Sequence, residues 1–291
     1  MLLVTLMSLW TEHTSYWEST AKWQSKNWYS QRKFRISGSI VAGILGRSKF
    51  SNPSSATMSL LKVYSTPRNS AMTYGIEHED TAREWYCQKY SYQVKEAGFA
   101  IPKYNLSVGA TVDGIVGDDG IIEIKCPQKM YAVLTDYSQD DYRRIYDPTQ
   151  SDSDSTEYSE TESLREVYYR HIFESHYSQM QLGMYSLSRQ WCDYIVWTET
   201  QGKFTQRVYY DKIYMDSLLL EIREYQDDIL TPILNQLNLE LLPPPKLVSN
   251  KRPSKKKCLE VIHDVFVDRS EYKCLCDKGY DLTSCLLQEL N

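Results

Sequence analysis

Three side chains whose types and spacing could support hydrolysis lie close together in the middle of the chain. Asp113 precedes a Gly-Asp-Asp-Gly segment at 117–120, and Glu123 and Lys125 follow it. Because strand side chains alternate between faces, Glu123 and Lys125 would share one face while the isoleucines between them point into the core. A hairpin at 117–120 would bring Asp113 towards Glu123. The pattern therefore predicts two carboxylates and one amine at a sheet edge.

This grouping suits the hydrolysis of phosphodiesters. Mg²⁺ prefers one or two carboxylates with several waters, at about 2.0–2.1 Å. It activates water and offsets the charge that builds on phosphorus, and a nearby lysine can orient the water. The alternative is a surface hairpin whose acid and base are merely solvated. That is disfavoured, because both alternate with isoleucines on a strand that reads as buried. The spacing alone indicates no more than a metal-dependent hydrolase.

The elements that would position these residues follow from apolar periodicity. Their order of helices, strands, helix, strands and helix predicts an α/β core with a mixed sheet. Helices are expected after Ser37-Gly38-Ser39 and at 58–64, 73–95, 164–189 and 212–237, with a loop at 51–57. Strands are expected at 106–110, 111–116, 121–125, 194–199 and 204–210.

Length and composition divide the chain into a main part and a tail. The 291 residues suffice for one core with a small appendage. We expect a catalytic domain over 1–242, carrying an acidic insertion at about 136–166. The three prolines from Pro243 and a basic run then form a linker at 243–257. A C-terminal extension at 258–291 carries enough apolar residues to pack onto the body.

The net charge of −5 conceals an uneven distribution. Residues 1–130 hold 15 Lys and Arg against 11 Asp and Glu, a net of +4. The segment 136–166 holds ten acids and three arginines. A polyanionic partner would therefore meet the first part of the chain.

Cysteine usage and hydropathy predict an intracellular location. The seven cysteines are irregularly spaced, and no apolar stretch reaches the ~18–20 residues of a membrane span. Five of the seven residues at 251–257 are basic, which favours a nuclear-import signal over a DNA contact or a plain linker. The tail cysteines, with His263, allow a metal site, but their spacing favours free thiols. These cysteines are Cys258, Cys274, Cys276 and Cys285.

Five motifs in the same order extend this picture over residues 28–200. They are the Trp28–Arg32 segment with Ile36–Ser39, Gly75–Arg83, Val112-Asp113-Gly114, Glu123–Pro127 and Tyr177–Tyr185. Together they resemble the lambda exonuclease (YqaJ-like viral recombinase) branch of the PD-(D/E)xK nucleases. The departures are Val112 for the usual proline, Thr111 for the usual serine, and the acidic insertion.

The resemblance implies a restriction-endonuclease-like core with Mg²⁺ as cofactor, which Mn²⁺ can replace. Asp113 and Glu123 would be metal ligands together with the Ile124 carbonyl, and Lys125 would position the attacking water. Glu79 would face the metal directly or through water. From the residues alone, Glu79 could equally pair on the helix surface with an arginine four positions on.

The resemblance also implies a pocket for a 5′-terminal phosphate. Arg32, Ser39 and Thr111 would form it, and Gln179 would lie beside the scissile phosphate. An arginine can grip a phosphate bidentately, and hydroxyls near a helix N-terminus add donors. Without the resemblance, Arg32 would be a solvated charge, Ser39 an N-cap, and Gln179 part of a half-exposed helix face.

The implied activity is a 5′-to-3′ exonuclease that acts on double-stranded DNA ends and leaves 3′ single strands. A single-strand annealing or recombination protein would be its partner, and no membrane is involved. Two alternatives stay open: an endonuclease or DNA/RNA nuclease with the same centre, and a catalytically idle DNA-end binding module. The oligomeric state is equally open.

Overall fold

The computed structural model describes residues 10–12, 16–19, 26–61, 69–129, 163–165, 169, 172–239 and 254–267. Most of the acidic insertion expected at 136–166 and residues 251–253 of the basic run lie outside these residues, as do Cys274, Cys276 and Cys285. Within the described part of the chain, no helix is both long and apolar enough to cross a membrane.

The strands form a mixed sheet and two smaller ones. In chain order they are β1 (Trp10–Glu12), β2 (Tyr16–Ser19), β3 (Ile36–Ser37), β4 (Val94–Lys95), β5 (Ala100–Pro102), β6 (Val108–Gly109), β7 (Gly114–Val116), β8 (Gly120–Lys125), β9 (Trp191–Trp197) and β10 (Lys203–Tyr209). The main sheet of the described residues has the order β10-β9-β8-β7-β4, and β1-β2-β5 and β3-β6 form the others. β8 pairs in parallel with β9, and the other neighbours in the main sheet are antiparallel.

The helices cover both faces of the main sheet. In chain order they are α1 (Lys26–Arg32), α2 (Gly38–Ile44), α3 (Pro53–Leu60), α4 (Ser70–Tyr90), α5 (Glu174–Leu187), α6 (Lys212–Tyr225), a π-helical segment (Gln226–Leu230), α7 (Thr231–Gln236) and α8 (Lys255–Val267). Tyr86 of α4 shares a buried cluster with Ile122 and Ile124 of β8. Tyr177 of α5 belongs to the main core with Ile121. The predicted α/β core with a mixed central sheet flanked by helices is confirmed.

The turn between β7 and β8 forms where the sequence predicted it. Gly117 has φ +57°, a left-handed conformation that suits glycine in a hairpin turn. At Gly120 an added Cβ would stand 2.2 Å from the indole of Trp191, so the glycine makes room for that ring. This turn sets the register in which Gly114 opposes Ile122.

Two predicted boundaries are wrong for local reasons. The loop expected at 51–57 is mostly α3, which begins at Pro53 because the Asn52 side chain accepts a hydrogen bond from the N–H of Ser55 at 2.8 Å. The helix expected at 164–189 is not continuous: Leu164 and Arg165 are helical, but Phe173, with φ −58° and ψ 138°, is not, and α5 begins at Glu174. Before this break, Arg165 Nη1 donates to the carbonyls of Tyr169 and Ile172, at 3.1 and 3.0 Å, and both of those side chains are buried.

The C-terminal part of the described chain packs against the body. α8 buries Cys258, Leu259 and Ile262, and it contacts α3 and α7. Its first turn is Lys255–Lys257, so the helix starts inside the range expected to be a linker. The division into a domain over 1–242, a linker and an extension stays a prediction.

Candidate active site

The hairpin of β7 and β8 fixes Asp113. This residue lies directly before β7, and its N–H donates to the carbonyl of Ile122 at 3.2 Å. Its Oδ2 accepts a hydrogen bond from the N–H of Ile124 at 2.6 Å. The Asp113 carboxylate is therefore held against the strand that carries Glu123, as the hairpin signal predicted.

Glu123 and Lys125 share a face of β8 and are bonded to each other. Lys125 Nζ donates to Oε1 of Glu123 and, at 3.3 Å, to Oε1 of Gln179 on α5. Glu123 exposes 3% of its surface, whereas Lys125 exposes 21% of its side chain. The lysine can thus reach both a buried carboxylate and a ligand that arrives from solvent.

α4 brings Glu79 to the centre from the opposite face of the sheet. Oε1 of Glu79 accepts a hydrogen bond from Arg83 Nη2 at 2.8 Å. Arg83 Nε donates to the carbonyl of Asp113 at 3.1 Å. The pairing of Glu79 with Arg83 is therefore compatible with a place beside the centre, because that arginine is itself anchored at Asp113; a role towards a metal stays a prediction.

The three carboxylates carry more negative charge than Lys125 and Arg83 together offset. Burial raises the pKa of Glu123 to about 8, with Lys125 opposing this shift and Asp113 adding to it. Burial and repulsion from Asp113 raise the pKa of Glu79 to about 7. Burial also raises the pKa of Asp113. Burial alone would lower the pKa of Lys125, but attraction to these acids raises it, so the lysine is protonated.

The donor set fits a hard divalent cation. Asp113 and Glu123 each use one carboxylate oxygen in an internal hydrogen bond, and the second oxygen of each has no partner in the described residues. Among those residues, no three His, Cys, Asp or Glu side chains converge closely enough to hold an ion. A pair of carboxylates completed by water and a backbone carbonyl matches Mg²⁺ coordination. Ile124 could supply that carbonyl, and Glu79, bonded to Arg83, fits a contact through water.

A second polar cluster lies at the start of α2. Arg32 Nη2 donates to the hydroxyls of Ser37 and Ser39, at 2.8 and 2.5 Å. The guanidinium carbon lies 4.7 Å from the centre of the Trp28 ring. Burial lowers the pKa of Arg32 to about 10. No carboxylate of the described residues pairs with Arg32, so this cation is poised to receive an anion.

Thr111 joins this cluster through Trp28. The indole Nε1 donates to Oγ1 of Thr111 at 2.9 Å, and Trp28 is 4% exposed. The parallel pairing of β3 with β6 sets Ser37 opposite Gly109, two positions before Thr111. Arg32 and Thr111 therefore contact the same indole, and Ser39 joins them through its bond to Arg32.

Gly38 connects the two clusters. It stands between the two serines, and an added Cβ would lie 3.0 Å from the carbonyl oxygen and 3.1 Å from Cγ of Gln179. Gln179 in turn accepts a hydrogen bond from Lys125. The arginine cluster and the carboxylate centre are therefore neighbours, with Gln179 between them.

Three residues that help to build the site were given no role in the sequence analysis: Ser37, Gly38 and Arg83. Ser37 ends a strand, and no periodicity relates it to Ser39 or Arg32. Gly38 belonged to a predicted helix start and to one of the motifs, but its contact with Gln179 was not indicated, because that contact depends on a helix far along the chain. Arg83 was signalled by its spacing of four from Glu79, but its contact with Asp113 was not.

Other conspicuous polar residues have structural partners. Gln181 donates to the carbonyl of Tyr209 and accepts from the N–H of Asp211, at 2.8 and 2.9 Å, which joins α5 to the end of β10. His176 is hydrogen bonded to the hydroxyl of Tyr194 at 2.7 Å. Cys258 is a free, buried thiol, and a metal site in the tail stays a prediction.

Comparisons with known proteins identify the family and the fold. The model of the YqaJ-like viral recombinase domain matches residues 27–186. An alkaline exonuclease from Laribacter hongkongensis, LHK-Exo, is 22% identical, with a TM-score of 0.52 over 71% of this chain and 93% of that one. LHK-Exo in complex with dAMP matches with the same identity and coverage and a TM-score of 0.53.

No curated protein sequence matches the chain. The family model spans more than half of it and includes every residue of both clusters. By this match, and by the exonuclease fold around an intact Asp–Glu–Lys centre, the chain belongs to the YqaJ-like viral recombinase family and is a nuclease that hydrolyses DNA.

Proposed function

We propose that this chain is a divalent-metal-dependent 5′-to-3′ exonuclease that digests double-stranded DNA from a phosphorylated end. It releases mononucleotides and leaves a 3′ single strand. The observation that carries this proposal is the arginine cluster beside the carboxylate centre. Arg32 has no acidic partner in the described residues, and Gly38, which lies between Ser37 and Ser39, packs closely against Gln179. An anion bound there would lie next to the hydrolytic groups.

A terminal phosphate fits this cluster better than an internal one. A phosphomonoester presents three non-bridging oxygens, and Arg32, Ser37 and Ser39 can supply donors to them together. An internal phosphodiester has two such oxygens and continues on both sides. The enclosed position of Arg32, stacked on Trp28, favours an end over a continuous strand.

Each residue of the carboxylate centre has a distinct task. Asp113 and Glu123 would hold Mg²⁺ or Mn²⁺, which when bound would supply an activated water and offset charge on the phosphate. Lys125, protonated and within reach of Gln179, orients the attacking water and stabilises negative charge on the phosphate oxygens. Gln179 positions the scissile phosphate. Glu79 and Arg83 border the carboxylate centre on the side of Asp113. That LHK-Exo binds dAMP supports release of a mononucleotide here.

The test is digestion of end-labelled linear duplexes that carry a 5′-phosphate or a 5′-hydroxyl, beside a closed circle. We expect the phosphorylated ends to be degraded fastest, with loss of 5′ label as mononucleotide, and the circle to stay intact. Unimpaired cutting of the circle would assign the endonuclease alternative. An absence of cleavage with either Mg²⁺ or Mn²⁺ would assign an idle DNA-end binding module.

The expected product suggests a protein partner, and the basic run suggests a location in the cell. A 3′ single strand is the substrate of single-strand annealing or recombination proteins, so we propose such a protein as the partner. The basic run at 251–257 supports nuclear import. A fluorescent fusion with and without the lysines of this run tests the location.

A further inference from the structure

The indole of Trp28 contacts two of the residues proposed to bind the terminal phosphate. The Arg32 guanidinium lies over its ring, and its N–H donates to Thr111. From other directions the ring meets Tyr29 and Phe99 edge to face, with centroids 5.0 and 6.4 Å apart. Because the indole is almost fully enclosed, it has little freedom to turn, and its N–H has a fixed direction.

Hydrogen-bond polarity around this ring is fixed by which groups can only donate. An indole N–H and a guanidinium have no acceptor, so Thr111, Ser37 and Ser39 all act as acceptors in these bonds. Each hydroxyl therefore keeps its own proton for another partner. Ser37 and Ser39 lie 3.3 Å apart, and one can donate to the other. Even then, Thr111 and one serine have protons to offer.

We infer that Trp28 is the positioning residue that makes Thr111 present its hydroxyl proton to the pocket beside Arg32. By donating to Thr111 and supporting Arg32, it favours a terminal phosphate, which is charged and accepts hydrogen bonds, over a terminal hydroxyl. In this inference Thr111 binds the phosphate directly, and Trp28 influences phosphate binding through its hydrogen bond to Thr111. This inference rests on the proposed function, because it explains how that function distinguishes one DNA end from another.

The first test measures end discrimination in variants that separate the N–H from the ring. Trp28→Phe keeps an aromatic ring beside Arg32 but removes the donor, and Thr111→Val removes the acceptor. In each, the ratio of kcat/KM on 5′-phosphate over 5′-hydroxyl ends should fall about tenfold, through a higher KM on phosphorylated ends. Thr111→Ser keeps the hydroxyl and should retain the wild-type ratio.

A double-mutant cycle shows whether the two residues act through their shared bond. If they do, Trp28→Phe combined with Thr111→Val lowers the ratio no further than either change alone. Additive losses, or a wild-type ratio in Trp28→Phe, would overturn the inference. Thermal unfolding of each variant checks that the ratio is compared between folded proteins, and a merely structural role would lower rates on both ends equally.

A second measurement keeps this inference separable from the proposed polarity. In the Lys125→Ala background, affinities for 5′-phosphate and 5′-hydroxyl duplexes are compared by fluorescence anisotropy, with and without Trp28→Phe. A phosphate preference that Trp28→Phe removes supports the inference even if digestion runs in the other direction. No preference with Trp28 intact overturns it, whatever the digestion assay gives.

Discussion

At the scale of single residues, Lys125 is the point where the catalytic groups meet. Its ammonium is bonded to Glu123 and reaches Gln179, and the surrounding acids keep it protonated. It holds one buried carboxylate in place and, in the proposed mechanism, would present a positive charge to the substrate. Few other side chains could do both, because the charge must be compact and borne on a flexible stem.

Lys125→Ala should lower kcat by about 10²–10³-fold or more while leaving affinity for duplex DNA nearly unchanged. The lost group acts on the reacting phosphate and contributes little to gripping the duplex. Single-turnover digestion and anisotropy measure the two quantities. Lys129→Ala, at an exposed lysine four positions on, is the matched control. Robust hydrolysis by Lys125→Ala in Mg²⁺ would contradict the proposed role of Lys125 in catalysis.

Glu123 makes the metal-free protein less stable as pH rises. Its pKa is about 8 in the folded protein against an ordinary value of 4.5, so the folded state binds the extra proton between these values. Stability conferred by that proton is present at low pH and is lost as pH rises through this window. In EDTA, Glu123→Gln should therefore melt above the wild type at pH 8, and the two melting temperatures should converge towards pH 5.

Thermal unfolding across pH 5–8 measures this difference. Glu84→Gln, at an exposed glutamate on α4, should follow the wild type. If Glu123→Gln and the wild type gave parallel curves, the buried carboxylate would not be the source of the pH dependence.

At the scale of elements, two helices on opposite faces of the sheet complete a site that the hairpin only begins. α4 contributes Glu79 and the Arg83 anchor, while α5 contributes Gln179. α5 also touches the start of α2 at Gly38, which brings the arginine cluster into range. A small displacement of α5 relative to α2 would therefore disturb both clusters at once.

Gly38→Ala should lower kcat on phosphorylated ends by about tenfold, in line with the strong effect of small misplacements at reacting groups. Its Cβ would press on Gln179 at 3.0–3.1 Å, where backbone atoms cannot easily give way. Gly75→Ala on α4 is the matched control, since its Cβ would meet only the Cys126 carbonyl at 3.7 Å. That control should keep full activity and gain about 0.5–1 kcal/mol of stability. Equal activity in both variants would remove Gly38 from the site.

At the scale of the whole molecule, the fold collects acids in its centre while the first part of the chain is basic. Residues 1–130 carry a net charge of +4 although the full chain carries −5. A DNA end would approach the basic part and meet the acidic centre only together with a cation. Metal binding should thus stabilise the folded protein as well as activate it.

Mg²⁺ or Mn²⁺ should raise the melting temperature of the wild type, corresponding to about 2.7 kcal/mol at a hundredfold excess over Kd. Asp113→Asn should lose this increase, because one of the two ligands is gone. Asp80→Asn, at the exposed acid beside Arg83, should keep it. Thermal unfolding in a metal titration measures the shift. If Asp113→Asn showed the same rise in melting temperature, the ion would bind somewhere other than this centre.

The sequence by itself determined the parts of the site that lie within one local pattern. The 117–120 turn and strand alternation place Asp113, Glu123 and Lys125 together, because a hairpin and a two-residue repeat are short-range consequences of backbone geometry. The five motifs also identified the family, because their order can be read directly from the sequence and does not depend on which residues are in contact.

Only the tertiary structure decided how the remote pieces combine. The stacking of Arg32 on Trp28, the bond from Trp28 to Thr111, and the contact of Gly38 with Gln179 join segments far apart in sequence, and no periodicity encodes such contacts. Packing also decided that Glu79 pairs with Arg83 and that this pair lies beside Asp113. The raised pKa values depend on burial, which exists only once the helices have closed over the sheet.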